Sequence, residues 1–132
     1  MIHLPELVTL LTVILLFAAT FLTGHARSKY QIKAPATSGH PVFERVYRIQ
    51  MNTLEQTVMF LPTLWLAARF GNPSWAGILG LVWLFARTWY MIVYVRDPAK
   101  RGPAFGLGML AWGLLLLLAI YGVIRLFWLA PM

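Results

Sequence analysis

The stretch LVTLLTVILLFAATFL, Leu7 to Leu22, runs without a single charge. Extended from Leu4 to Gly24, it reaches the roughly twenty residues a helix needs to cross about 30 Å of hydrocarbon. It is N-terminal and is followed by small residues around Ala26, as a cleavable signal would be. The segment before it, Met1 to Glu6, however, has no Lys or Arg, and the basic residues come after the run. That order fits a retained first crossing better than a signal peptide.

Outward from this helix, His25 to Pro41 is polar, basic and punctuated by Pro35, Gly39 and Pro41, which reads as a loop outside the membrane. A second helix is expected from Phe43 to Phe70, with an unusually polar first half. Gly71, Asn72 and Pro73 then form a turn, and Ser74 is the expected N-cap of a third helix ending at Arg96. Asp97, Pro98, Gly102 and Pro103 interrupt the pattern before Ala104 to Trp128 supplies a fourth crossing around Leu114 to Leu118. The expectation is an all-α transmembrane four-helix bundle, one domain over residues 1–132, with helices at about 4–24, 43–70, 74–96 and 104–128.

Composition agrees: 60% of the 132 residues are hydrophobic and only 11% charged, with a mean hydropathy of +0.71, far from the balance of a soluble domain. The net charge of +7 would raise nucleic acid in a soluble protein. Here Arg27, Lys29, Lys33, Arg45, Arg96, Lys100 and Arg101 flank apolar runs, where they meet headgroups, and no nucleic-acid motif accompanies them. Lys and Arg concentrate in the first and third loops, so these loops are expected on the cytoplasmic side and both termini opposite. Trp65, Trp75, Trp83, Trp89 and Trp128 read as interfacial anchors or packing between helices. Without cysteine there is no thiolate nucleophile and no cysteine-ligated metal. His3, His25 and His40 are too scattered to form a metal site.

Charged residues inside a bilayer helix have a function or a partner. Arg48, Asn52 and Glu55 stand at i, i+4 and i+7 of helix two, a cation, an amide and a carboxylate in a column about 10 Å tall. A zwitterionic, peptide-like ligand would match all three. Arg87, Tyr90 and Tyr94 form a second stripe on helix three, which runs the opposite way, so the stripes can converge. Arg27 and Arg101 belong to the same membrane face. Guanidinium forks suit carboxylates, and positive charge beside a thiol lowers its pKa, so an electropositive pocket for an anionic thiol follows as a hypothesis. The structural alternative is that Glu55 neutralises Arg48 or Arg87, Asn52 bridges helices, and the tyrosines anchor at the interface. Arg87 reads as the most structural member.

The stretch Phe43, Glu44, Arg45, Val46, Tyr47, Arg48 through Asn52 and Glu55 resembles the second-helix signature of the MAPEG family, membrane-associated proteins in eicosanoid and glutathione metabolism. The likeness extends to Arg27, the run Leu84, Phe85, Ala86, Arg87, and to Tyr90, Tyr94 and Arg101. The resemblance implies a homotrimer with glutathione at the subunit interfaces. Arg48, Asn52, Glu55, Tyr90 and Tyr94 match glutathione-contacting positions, and Arg101 matches the arginine that stabilises the thiolate. Arg27 and Gln50 match contacts from a neighbouring subunit. Gln50, two residues from Arg48 and so about 200° round the helix, does point away from the main stripe.

That resemblance implies a glutathione transferase, with a possible peroxidase side activity toward lipid hydroperoxides, acting on a lipophilic acceptor from the bilayer and needing no metal. Gln56 stands where the leukotriene-forming branch has tyrosine, and Ser28 where it has a second arginine, so leukotriene synthesis is not implied. Asp97 and Pro98 raise the question of how Arg101 is directed. Two other readings remain open: a non-catalytic, lipid-binding family member, or a small four-helix exporter using Glu55 for coupling. The compact chain and the absence of a retrieval tail favour a bacterial inner membrane over the endoplasmic reticulum, with the site toward the cytoplasm.

Overall fold

The computed structural model describes residues 1–129 and contains four long helices: α1 Leu4–Tyr30, α2 Pro41–Leu66, α3 Pro73–Arg96 and α4 Gly102–Leu129. They run up and down in sequence, α1 packing on α2 and α3, and α3 most extensively on α4. The 31–40 and 97–101 connections therefore share one end of the bundle, and the 67–72 connection lies at the other.

α1 is longer than expected. Nothing between His25 and Tyr30 breaks it, and it stops only where Gln31 turns left-handed at φ 54° and its N–H reaches the Arg27 carbonyl. The first connection is thus confined to residues 31–40. His40 closes it twice: its ring stacks on Tyr30 at 3.8 Å, and its Nδ1 accepts from the Val42 N–H at 3.1 Å, capping α2.

α2 carries Pro62 inside it, whose missing N–H leaves the Val58 carbonyl without its helical donor. The α-helical geometry ends at Leu66, and the continuation expected to Phe70 is a π-helical segment, Ala67–Gly71. The cap of α3 is also not the expected one. Asn72 Oδ1 accepts from the Trp75 N–H at 3.0 Å, with Pro73 in the first turn, so Ser74 is already helical.

Three helices, α1, α3 and α4, are long and apolar enough to cross a membrane. α2 is long enough at 26 residues, about 39 Å, but Glu44, Arg45, Arg48, Gln50 and Asn52 in its first half, with Glu55 and Gln56 just beyond, make it too polar by composition. The chain is multi-pass, with its most polar helix packed against all three apolar ones, α1 most extensively.

The core has two parts. Toward the π-helical end, Val8, Phe60, Leu64, Trp83 and Leu115 are buried, with Phe60 and Trp83 edge to face at 3.9 Å. Toward the other end, Ala19, Ile49, Tyr90, Met91 and Ala104 meet. Thr12, Thr23, Thr57 and Thr63 lie within this apolar interior, yet each hydroxyl donates to the carbonyl four residues back at 2.7–3.0 Å, so none is left unsatisfied. Large apolar side chains such as Phe17, Phe21, Val58, Phe85 and Phe127 face outward, as they would toward lipid or another subunit. Of the tryptophans, Trp83 is core packing, whereas Trp65, Trp75, Trp89 and Trp128 are exposed.

Candidate functional site

The two polar stripes do converge. Arg87, buried on α3, donates from Nη1 to Asn52 Oδ1 on α2 at 2.7 Å and lies 3.4 Å from Thr53 Oγ1. Its guanidinium also sits 4.4 Å from the centre of the Tyr90 ring. Arg87 thus ties α2 to α3, and of the three groups it touches, Asn52 and Tyr90 are candidate binding residues. The available signal was its place on the Tyr90–Tyr94 stripe, one turn before Tyr90.

From Tyr90 the contacts continue toward the loop end. Tyr90 and Tyr94 lie 5.5 Å apart, Phe105 of α4 packs beside Tyr90 at 6.2 Å, and the Arg101 guanidinium stands 5.4 Å from the Tyr94 ring centre. The Asp97–Pro98 pair does not throw Arg101 outward. Asp97 Oδ1 caps a short 3₁₀ turn, Pro98–Lys100, by accepting from the Ala99 N–H at 3.2 Å, and Arg101 Nη1 donates to the Pro98 carbonyl at 3.0 Å. The turn folds the arginine back over the aromatic pair. Arg48 stands one turn before Asn52 on α2 and so on the same stripe of that helix. Arg48, Asn52, Tyr90, Tyr94 and Arg101 thus share one face, formed by α2, α3 and the start of α4.

Glu55 lies on the same α2 stripe, exposed, and neither of the ion pairs among the described residues involves it: those are His3–Glu6 and Asp97–Lys100. It does not neutralise Arg48 or Arg87 within the chain. One turn deeper, Gln56, Met59, Trp83, Phe105, Met109 and Trp112 enclose a cleft of about 190 Å³ between α2, α3 and α4. The Trp112 indole N–H is buried and has no hydrogen-bond partner among the described residues.

Arg27 and Gln50 are elsewhere. Gln50 Nε2 donates to Thr20 Oγ1 on α1 at 3.1 Å. Arg27 donates to the Ala36 carbonyl at 2.7 Å and lies over the Phe43 ring at 4.9 Å. Both belong to the α1–α2 side of the bundle, and one chain does not bring them to Arg101. Among the described residues no group of three His, Asp or Glu side chains is arranged to hold a metal.

This face offers two guanidiniums, an amide, two phenols and a free carboxylate beside an apolar cleft, an arrangement suited to a charged, peptide-like molecule reacting with an apolar one. Comparison with known proteins points the same way. The profile of the MAPEG family matches residues 5–121. An uncharacterized protein of Synechocystis sp. is 42% identical over 120 residues, 91% of this chain and 88% of its own. Microsomal glutathione S-transferase 2 of Bos taurus is 38% identical over 104 residues, 79% of this chain and 71% of its own. Leukotriene C4 synthase of Cavia porcellus is 39% identical over 121 residues, 91% of this chain and 80% of its own.

Proposed function

The chain belongs to the MAPEG family, and from that membership we propose that it is a membrane glutathione transferase, holding glutathione as its thiolate for attack on a lipophilic electrophile drawn from the bilayer. The carrying observation is Arg101, folded by the 3₁₀ turn over Tyr94 and so joined to the Tyr90, Arg87, Asn52 contacts of the two central helices.

The residues suit the tripeptide. Glutathione carries two carboxylates and one ammonium. Arg48 offers a fork to one carboxylate, and Glu55, exposed and unpaired, suits the ammonium. Asn52 and the hydroxyls of Tyr90 and Tyr94 can bond the peptide groups. Arg27 and Gln50 complete the set from a neighbouring subunit of a homotrimer, which accounts for their place on the other side of the bundle. The loop end that carries the Lys and Arg residues faces the cytoplasm, and α2 makes the fourth crossing with its polar face toward the site.

The positive charge of Arg101 favours the ionised sulfur, whose proton leaves to solvent. The sulfur then forms a bond to carbon while the acceptor's leaving group departs, or while an epoxide C–O bond opens and its oxygen takes a proton from water. The 190 Å³ cleft beside Phe105 suits the acceptor's apolar body. A lipid hydroperoxide is a second acceptor class for the same thiolate: attack on its distal oxygen releases the alcohol and leaves glutathione sulfenic acid, which a second glutathione resolves to the disulfide and water.

Ultraviolet difference spectroscopy of the detergent-purified protein tests the central step. Adding glutathione at neutral pH is expected to raise thiolate absorbance in proportion to occupied sites, and the same preparation should conjugate hydrophobic acceptors. If glutathione does not bind, the reading gives way to a lipid-binding role. If proton-driven transport appears without glutathione, it gives way to an exporter.

A further inference from the structure

Away from the candidate site, α1 and α3 separate over α2 and leave a groove of about 360 Å³ on the outside of the bundle, within the roughly 300–1,000 Å³ of ligand pockets. Its walls are Leu15, Ala19 and Leu22 of α1, Val46 and Ile49 of α2, and Met91, Ile92 and Val95 of α3. The one hydroxyl in it, Thr88, is already spent on the Leu84 carbonyl at 2.9 Å, so the groove makes no polar demand along its length. Its single charged member, Arg96, stands at the end where α3 stops.

A second guanidinium is fixed there. Arg45 of α2 donates from Nη1 to the Val95 carbonyl at 3.3 Å, a contact that the partial negative charge of a helix C-terminus favours. Neither Arg45 nor Arg96 has a carboxylate partner among the described residues, where the ion pairs are His3–Glu6 and Asp97–Lys100. From Thr88 to Arg96 the groove follows α3 for about 12 Å, from inside the apolar span to the headgroup level.

We propose that this groove is a binding site for an anionic phospholipid, with one acyl chain lying between α1 and α3 and the phosphate held by Arg96 and Arg45. A fully apolar trough with two unpaired cations at one end matches an amphiphile whose only charge is a terminal anion. A neutral or zwitterionic lipid would fill the trough equally well but forgo the net attraction at its mouth. The site is distinct from that of glutathione, since neither its lining residues nor Arg45 are among those assigned to glutathione on either side of the bundle.

Native mass spectrometry of the delipidated protein in detergent, titrated with dioleoyl phosphatidylglycerol or dioleoyl phosphatidylcholine, tests the proposal. The anionic lipid should be retained preferentially. The double variant Arg45→Gln, Arg96→Gln should lose that preference, weakening phosphatidylglycerol roughly tenfold or more at two guanidiniums while leaving phosphatidylcholine binding and the rate of conjugation at saturating glutathione unchanged. Ile92→Trp, which fills the groove from its open rim, should weaken both lipids. Equal retention of the two lipids by the unaltered protein, or undiminished phosphatidylglycerol binding by the double variant, would overturn the proposal. Dissociation of the assembly by Ile92→Trp would overturn it too, because the groove would then be a contact between copies.

Discussion

At the scale of single residues, Arg101 and Arg87 divide the work of two cations. Arg101 is exposed at the rim and reaches the site through the 3₁₀ turn. Arg101→Ser should therefore lower kcat for conjugation by at least about tenfold, short of the 10²–10³ of a fully buried charge-stabilising donor, with a smaller change in glutathione affinity. Stopped-flow measurement of thiolate formation separates the two. Arg87 is 4% exposed and acts through its partners. Arg87→Met should leave Asn52 Oδ1 unpaired, at about 1–3 kcal/mol of stability, and weaken glutathione binding roughly tenfold while the rate of bound glutathione changes little. Arg87→Lys, which keeps the charge and one donor, should recover part of the affinity. If Arg87→Met altered thermal stability and left binding intact, Arg87 would be structural only. The column of Arg48, Asn52 and Glu55 was legible from helical spacing alone. The Arg87–Asn52 bond was not, because spacing fixes a residue's direction on its own helix but not which neighbour it meets.

At the scale of elements, two helix ends turn on features the sequence expresses weakly. The π-helical Ala67–Gly71 segment brings the backbone of Phe70 and Gly71 against α4, where a Cβ on Gly122 would stand 2.6–2.7 Å from their backbone atoms. Gly122→Ala should cost about 1–3 kcal/mol through overpacking and lower the midpoint of thermal unfolding in detergent. Gly113→Ala, on the same helix with nothing within 4 Å of its would-be Cβ, should be neutral or slightly stabilising. Equal effects of the two would show that the close approach is unimportant. The apolar runs made α1, α3 and α4 readable directly. The extension of α1 to Tyr30 was hidden because polar residues without Gly or Pro are as compatible with helix as with loop. Asn72 and Ser74 are both N-cap types, and only the location of Pro73 in the first helical turn decides between them.

At the scale of the whole molecule, one chain holds its candidate groups on two sides: Arg48, Asn52, Tyr90, Tyr94 and Arg101 on one, Arg27 and Gln50 on the other. A site assembled from adjacent subunits would reconcile them, and subunit mixing tests it. Arg27→Ala and Arg48→Ala chains, each inactive alone, should regain part of the conjugating activity when co-expressed, since some interfaces then receive both intact halves. No recovery, with co-assembly verified by differential tags, would place the whole site in one chain. Helical spacing already turns Gln50 away from the Arg48 stripe, but it does not say which surface that side of the helix meets. The up-and-down topology has a further effect. By bringing the 31–40 and 97–101 connections to one end, it gathers eight of the eleven basic residues there, namely Arg27, Lys29, Lys33, Arg45, Arg48, Arg96, Lys100 and Arg101. Such an end acts as an ion collector: anionic solutes should be captured faster than diffusion alone allows, and the capture rate, far more than the release rate, should fall as added salt shortens the reach of its field.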